Sequence, residues 1–252
     1  SACVCDSGYY HTTPGQPGCT ACRPGTYAAA GSTAYTNHTL ADCVSCSRGK
    51  YSAQEAANDA TTCQNCVAGK FSDTLGANSS AACTSCNPGK YSAHAAANAS
   101  ATCVACPRGS YTQTAGMTGC VECSRGKYGS DATGATNGTQ HCLPCSILEY
   151  QPNTGKTACK ACPSNTQTLD TQAMQLEECL CNQGYTGPDG GNCTQCAQDK
   201  YKGALGSEPC SSCPEHANSH PGAIEVVDCI CKLGYGRDAA EQDCTECLKG
   251  TF

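Results

Sequence analysis

The chain has 252 residues and a net charge of −6, and it carries 28 Cys and 27 Gly against no Trp, two Phe and two Met. So few large apolar side chains exclude an ordinary oily core. The acidic balance counts against nucleic acid or an acidic membrane surface as a partner, and no run of 18 apolar residues offers a membrane span within this stretch.

Residues 1–42 hold two opening cysteine doublets, Cys3/Cys5 and Cys19/Cys22. The first 22 residues lack the basic start and apolar run of a leader. The last residues, Cys247 to Phe252, stop at the opening turn of a further repeat, so the array is expected to continue beyond them. From Cys43 the chain becomes monotonous: doublets at Cys43/Cys46, Cys63/Cys66, Cys83/Cys86 and Cys103/Cys106 start 20 residues apart. A fixed short period marks an array whose units lean on their neighbours. A unit of about 20 residues lies far below the roughly 40 at which crosslinks, metals or assembly become necessary, so cysteine has to replace the core.

Doublets continue at Cys120/Cys123, Cys142/Cys145, Cys159/Cys162, Cys193/Cys196, Cys210/Cys213 and Cys244/Cys247, with Cys-x-Cys pairs at Cys179/Cys181 and Cys229/Cys231. Repeated Cys-x-x-Cys is also four-thiolate zinc spacing. Eleven near-equal copies without a privileged pair, and no His at ligand spacing, favour disulfides in an oxidising compartment instead. All 28 cysteines are therefore expected to be crosslinked.

After the second Cys of a doublet comes x-x-Gly-x-Tyr/Phe, as in Cys46 to Tyr51, Cys66 to Phe71 and Cys86 to Tyr91; the Cys-x-Cys doublets use x-x-Gly-Tyr, at Gly8/Tyr9, Gly184/Tyr185 and Gly234/Tyr235. Gly supplies the positive φ of a tight turn, and the aromatic is expected to lie against a disulfide. Tyr150 and Tyr201 keep the aromatic place without the Gly; Tyr10 and Tyr35 fall outside it. Such a row could also serve as a sugar-binding or adhesive stripe.

The second half is compound. Residues 43–141 are simple repeats of 17–22 residues, whereas residues 142–192 and 193–243 are two modules of about 51 residues, each with two Cys-x-x-Cys and one Cys-x-Cys, and residues 244–252 begin another repeat. Cys193/Cys196, Asp199-Lys200-Tyr201, Gly206, Cys210/Cys213-Pro214 and Cys229-Ile-Cys231-x-x-Gly234-Tyr235 resemble the ephrin-receptor-like, EGF-related cysteine-rich repeat. The Gly-Lys-Tyr-Ser repeats are also similar to arrays in ciliate surface antigens and flagellar-hair (mastigoneme) glycoproteins. The resemblance implies small disulfide-rich repeats: an elongated rod of short β-hairpins and loops, secreted or at the cell surface, with little helix and no large hydrophobic core. The chain departs from that pattern after Cys145 and Cys162, which lack the following Gly. EGF-like and tumour-necrosis-factor-receptor-like modules suggest first-to-third and second-to-fourth bonds between doublets. An array could equally join the second Cys of each doublet to the first of the next. Bonds within a doublet are disfavoured, since so short a span leaves strained geometry.

Short strands are expected around the turns, for example at residues 50–52, 90–92 and 200–202. The Ala-rich residues 53–60 and 93–101 read as loops, because isolated helices that short are marginal in water. Residues 166–178 are the best helix candidate. Glycosylation acceptors lie in phase with the array: Asn78, Asn98 and Asn137 sit five residues before the next doublet, Asn37 six before, and Asn192 directly before Cys193. Asn58 keeps the phase but lacks the sequon. The six His are dispersed, no catalytic constellation or phosphate loop is present, and no cofactor or metal site is expected. The function that follows is structural: a subunit of an extracellular glycosylated filament or appendage, self-associating into a homopolymer or fibre and carrying N-glycans, with Ser/Thr available for O-glycans. The alternative is a surface antigen or receptor ectodomain acting as a binding module.

Overall fold

The computed structural model describes residues 5–12, 18–29, 42–130, 132–237 and 243–247. Among them the backbone forms thirteen two-stranded antiparallel sheets. Each sheet joins the segment after one doublet's turn to the segment inside the next doublet. Lys50–Tyr51 pairs with Gln64–Asn65, Lys70–Phe71 with Thr84–Ser85, and Lys90–Tyr91 with Val104–Ala105. The strands are two or three residues long and the longest α-helix among the described residues is one turn, Gly138–His141. The fold is thus small disulfide-rich repeats of hairpins and loops, without a large hydrophobic core.

The turn explains the hairpin. Gly49 sits at φ +84°, where a left-handed residue reverses the chain. The Lys50 amide then donates to Ser47 O, and the Cys66 amide donates to Gly49 O at 2.8 Å. In three repeats without the Gly, Asn165, Asp199 and His216 take the same place at φ +62°, +64° and +61°, all three being residue types that tolerate the left-handed region. That substitution overturns the helix expected over residues 166–178. Asn165 makes the turn, Thr166–Gln167 enters a strand paired with Leu180–Cys181, and only Leu176–Glu178 winds into a single 3-10 turn. The Ala-rich residues 53–60 and 93–101 are loops, as expected, each running into a 3-10 turn at Ala60–Thr62 and Ser100–Thr102.

The chain divides into two compact units. One comprises residues 1–122 with 131–141, the other residues 123–130 with 142–252. Within each, successive hairpins are joined in chain order by two recurring backbone bonds. In the first unit the Gly49 amide donates to Ser72 O (2.8 Å) and the Ser52 amide to Ala77 O (3.0 Å); one repeat on, Gly69 donates to Ser92 O and Ser72 to Ala97 O. In the second unit Gly184 donates to Lys202 O (2.9 Å) and Lys202 to Ala223 O (3.0 Å). The aromatic residue of one repeat and an Ala of the next meet in parallel bridges: Tyr51 with Ala77, Phe71 with Ala97, Tyr201 with Ala223.

What fills the interior is sulfur, Ala and a column of small polar residues. Ala57, Ala77, Ala97, Ala173 and Ala223 are buried at the bridges, and so is the second Cys of each doublet except Cys162, Cys213, Cys231 and Cys247. The residue after the aromatic place is buried as well: Ser52, Ser72, Ser92, Thr112, Gln151, Lys202, and Thr168, where Gln167 holds that place. A buried polar group must be satisfied, and these satisfy the loop they introduce. Ser52 Oγ accepts from the Gln54 amide, Ser72 Oγ from the Thr74 amide, Gln151 Oε1 from the Asn153 amide, and Thr168 Oγ1 donates to Asp170 O. The turn aromatics remain half-buried except Tyr9, which is exposed; Tyr201 and Tyr235 lie against a cluster of Ala217, Cys229 and Cys244.

Candidate functional site

The crosslinks follow one rule. The second Cys of each doublet bonds the first Cys of the next, in thirteen disulfides from Cys5–Cys19 and Cys22–Cys43 through Cys106–Cys120 and Cys123–Cys142 to Cys213–Cys229 and Cys231–Cys244. The rule passes through the Cys-x-Cys doublets unchanged, since Cys162 bonds Cys179 and Cys181 bonds Cys193. Of the pairings open at the level of sequence, the serial one is adopted. The hairpin is the reason: its two short strands bring the second Cys and the following first Cys to Cα separations near 5.6 Å, as at Cys46–Cys63 and Cys66–Cys83, which suits a disulfide. Cys247 is exposed and has no sulfur partner among the described residues; the rule assigns it to the first Cys of a following doublet. Cys3 lies outside the described residues.

The missing Gly after Cys145 alters the turn but not the crosslink. Cys145 is wholly buried and bonds Cys159 at a Cα separation of 5.8 Å. Leu148 stands in the Gly place, and its carbonyl accepts from the Cys162 amide at 2.8 Å, as Gly49 O does from Cys66. The bond to the next repeat runs the other way there: the Thr168 amide donates to Ile147 O at 2.7 Å, whereas the Gly49 amide donates to Ser72 O. The sulfur ladder therefore tolerates a reversal of one backbone bond.

The turn glycines are held by packing as well as by φ. A Cβ on Gly49 would fall 2.2 Å from Ala96 O, and one on Gly69 would fall 2.1 Å from Gly116 O. Each turn therefore touches the backbone of the second repeat ahead. That contact is completed by the amides of Gly76 and Ala96, which donate to Cys46 O and Cys66 O at 2.8 Å. Three consecutive repeats are thereby locked to one another by backbone alone.

Lys202 departs from the hydroxyl column. Its ammonium is buried and donates to Tyr185 O at 2.8 Å and to Gly206 O. Burial pulls its pKa below the ordinary lysine value, while Asp189 and Glu208 oppose the shift. The sequence carries its signal, a Lys directly after an aromatic in the register of Ser52 and Ser72, and that register went unread.

Of the acceptor residues, Asn78, Asn98 and Asn192 are exposed. Asn137 is half-buried, and its Oδ1 accepts from the Thr139 amide (3.0 Å) and hydroxyl (2.6 Å) at the start of the one-turn helix. Asn37 lies outside the described residues. Cys5, His11 and Cys19 come within ligand distance of one another, but the two sulfurs are bonded together and present no thiolate.

A ladder of hairpins joined second-to-first by sulfur, on a buried polar column, defines a cysteine-rich repeat module. The family model described as tyrosine-protein kinase ephrin type A/B receptor-like matches residues 31–83, 89–140 and 133–179, more than half of the chain, and the chain belongs to that family. It is 29% identical over 100 residues to cysteine repeat modular protein A of Toxoplasma gondii, covering 36% of this chain and 3% of that protein. It is 34% identical over 75 residues to ephrin type-B receptor 4 of Mus musculus, covering 29% of this chain and 7% of that protein. A similar match of 35% over 75 residues joins it to a sushi, von Willebrand factor type A, EGF and pentraxin domain-containing protein of Rattus norvegicus, over 28% of this chain and 2% of the other. The matched stretches thus span less than a tenth of the length of these relatives. What is shared is a receptor-like cysteine repeat rather than an enzyme domain, of an extracellular or surface type. No helix among the described residues is long and apolar enough to cross a membrane.

Proposed function

We propose that the chain is a structural segment of an extracellular, glycosylated filament or cell-surface appendage. The observation that carries this reading is the backbone register. The Gly and spine amides of one hairpin donate to carbonyls of the next at the same two positions, from Gly49 and Ser52 to Ser72 and Ala77 and onward. A lattice of that kind extends by repetition and holds tension through covalent sulfur at every step. It needs no distinct ligand pocket in any one repeat. Self-association into a fibre would use the aromatic strand faces, and N-glycans on Asn37, Asn78, Asn98, Asn137 and Asn192 would limit lateral bundling. Negative-stain microscopy of native material tests it: long uniform fibres containing this chain are expected. Isolated short particles tethered to a membrane would overturn it in favour of a receptor or antigen ectodomain.

A further inference from the structure

The interior positions of each repeat are filled by the chain itself, whereas the outward face of the aromatic hairpin is not. In the repeat of Cys86, Tyr91 and Val104 face each other across the strands. With the loop that carries Ala93, His94 and Asn98, they line an open cavity of about 340 Å³, within the size range of small-molecule sites. One wall of that cavity is Asn98, the first residue of an Asn-Ala-Ser sequon, and its side chain is exposed.

We propose that this cavity seats the first N-acetylglucosamine of a glycan carried on Asn98 itself. The C–H face of the pyranose lies on the electron-rich face of Tyr91, and the methyl groups of Val104 close the far side. The attachment point at the rim identifies the occupant, since a sugar bonded to Asn98 is present at the cavity mouth at high effective concentration.

Two neighbouring loops act as internal comparisons. In the repeat of Cys46 the sequon is missing, as Asn58 is followed by Asp59-Ala60. There the same cross-strand position holds Gln64, whose Oε1 accepts from Tyr51 OH at 3.0 Å and ties the ring to its own hairpin. Asp59 is likewise engaged, accepting from the Thr61 amide. In the repeats that carry Asn78 and Asn98 the partners are Phe71 with Thr84 and Tyr91 with Val104, so a methyl-bearing side chain stands there in place of the amide. At Asn137 the following residue is Gly138, and a Cβ there would fall 2.3 Å from the Tyr111 ring. An aromatic ring beside an acceptor loop thus recurs within this unit.

This inference rests on the glycosylation part of the proposed function and not on fibre formation. The test uses the full chain secreted from a glycosylating eukaryotic host, with its N-glycans trimmed to the first sugar and the N-acetyl and pyranose proton resonances assigned by Asn98→Gln. The sugar on Asn98 is expected to show upfield ring-current shifts that the sugar on Asn192 lacks. They should be lost in Tyr91→Leu and retained in Tyr91→Phe. Should Tyr91→Leu fail to be secreted, native wild-type protein still decides: amidase should release the sugar from Asn192 several-fold faster than from Asn98. Unshifted resonances at Asn98, equal release rates, or an Asn98 that stays bare while Asn192 is modified would each overturn the seat. None of these outcomes bears on whether the chain forms fibres.

Discussion

The two units solve one problem with different materials. In the first, the disulfides of Cys46, Cys66 and Cys86 each span 17 residues, the spine is Ser52, Ser72, Ser92 and Thr112, and the turns are made by Gly. In the second, spans run from 12 residues at Cys181–Cys193 to 19 at Cys123–Cys142, the spine is Gln151, Thr168 and Lys202, and Asn165, Asp199 and His216 make several of the turns. Two of these three spine amides nevertheless bond as in the first unit. Gln151 and Lys202 donate to Ala173 O and Ala223 O as Ser52 does to Ala77 O. The third, Thr168, donates back to Ile147 O in the turn after Cys145, and the Cys145–Cys159 crosslink survives it. The invariant is therefore the placement of sulfur, with the spine amide always bonded to the backbone of an adjacent repeat. The spine side chain is free to vary as long as it can reach a backbone partner from a buried position.

The strongest way to break that equivalence is to cut one crosslink in each unit. Replacing Cys86 and Cys103 together by Ser opens a span of 17 residues, and replacing Cys196 and Cys210 opens one of 14. Loss of a native disulfide from a small domain typically costs about 2–5 kcal/mol, with only a weak dependence on loop length. The two double substitutions are thus expected to lower stability by similar amounts in chemical denaturation, and full reduction should abolish the folded signal altogether. A much smaller loss for Cys196/Cys210 would mean that the buried Lys202 and its carbonyl bonds carry load that sulfur carries in the first unit.

A second comparison separates φ from close approach. Gly49 (φ +84°) and Gly234 (φ +92°) make the same turn, but a Cβ on Gly49 would meet Ala96 O at 2.2 Å whereas one on Gly234 meets nothing within 4 Å among the described residues. Gly234→Ala should cost only the left-handed penalty, on the order of 1–2 kcal/mol. Gly49→Ala should cost distinctly more, because two backbones must separate. Melting curves of the two variants check it. Equal losses would show that the contact between every second repeat yields without cost.

How much of this was legible follows from what each signal encodes. The doublets, the turn Gly and the aromatic repeat as residue types, so the hairpin unit and the absence of an oily core could be read directly from Cys46-Ser-Arg-Gly-Lys-Tyr51 and its copies. The pairing could not. The serial and the first-to-third patterns place the same cysteines at the same intervals, and they differ only in which strand lies beside which. Residues 166–178 offered the best helix candidate, but the decisive feature was Asn165 standing where Gly stands elsewhere. The spine was in plain view as the Ser of Gly-Lys-Tyr-Ser, yet hydroxyl residues usually signal surface. Here they are buried beside bridging Ala and sulfur because the loop amides need an acceptor, which Ser52 and Ser72 supply to Gln54 and Thr74.

The mildest comparison concerns how the loops are tied down before a doublet. In the second unit Asp228 accepts from the Ile224 and Glu225 amides at 2.9 and 3.0 Å, closing the turn that leads into Cys229. In the first unit Asp59 reaches forward to the Thr61 amide, while the matching Ala99 in a later copy has no side-chain cap. Hydrogen bonds from those amides hold the Asp228 carboxyl below the ordinary aspartate value, with burial acting weakly in the other direction. The folded state therefore binds its proton less readily than the unfolded chain, so the contribution is present above the unfolded pKa and is lost as pH falls through the folded one. Asp228→Asn is expected to lower the melting temperature slightly near pH 7, and the gap between variant and wild type should close by about pH 2. A gap that persists in acid would assign the effect to the shape of the turn rather than to the charge, and would make the second unit's loops as indifferent to their capping residue as the Ala99 copy in the first.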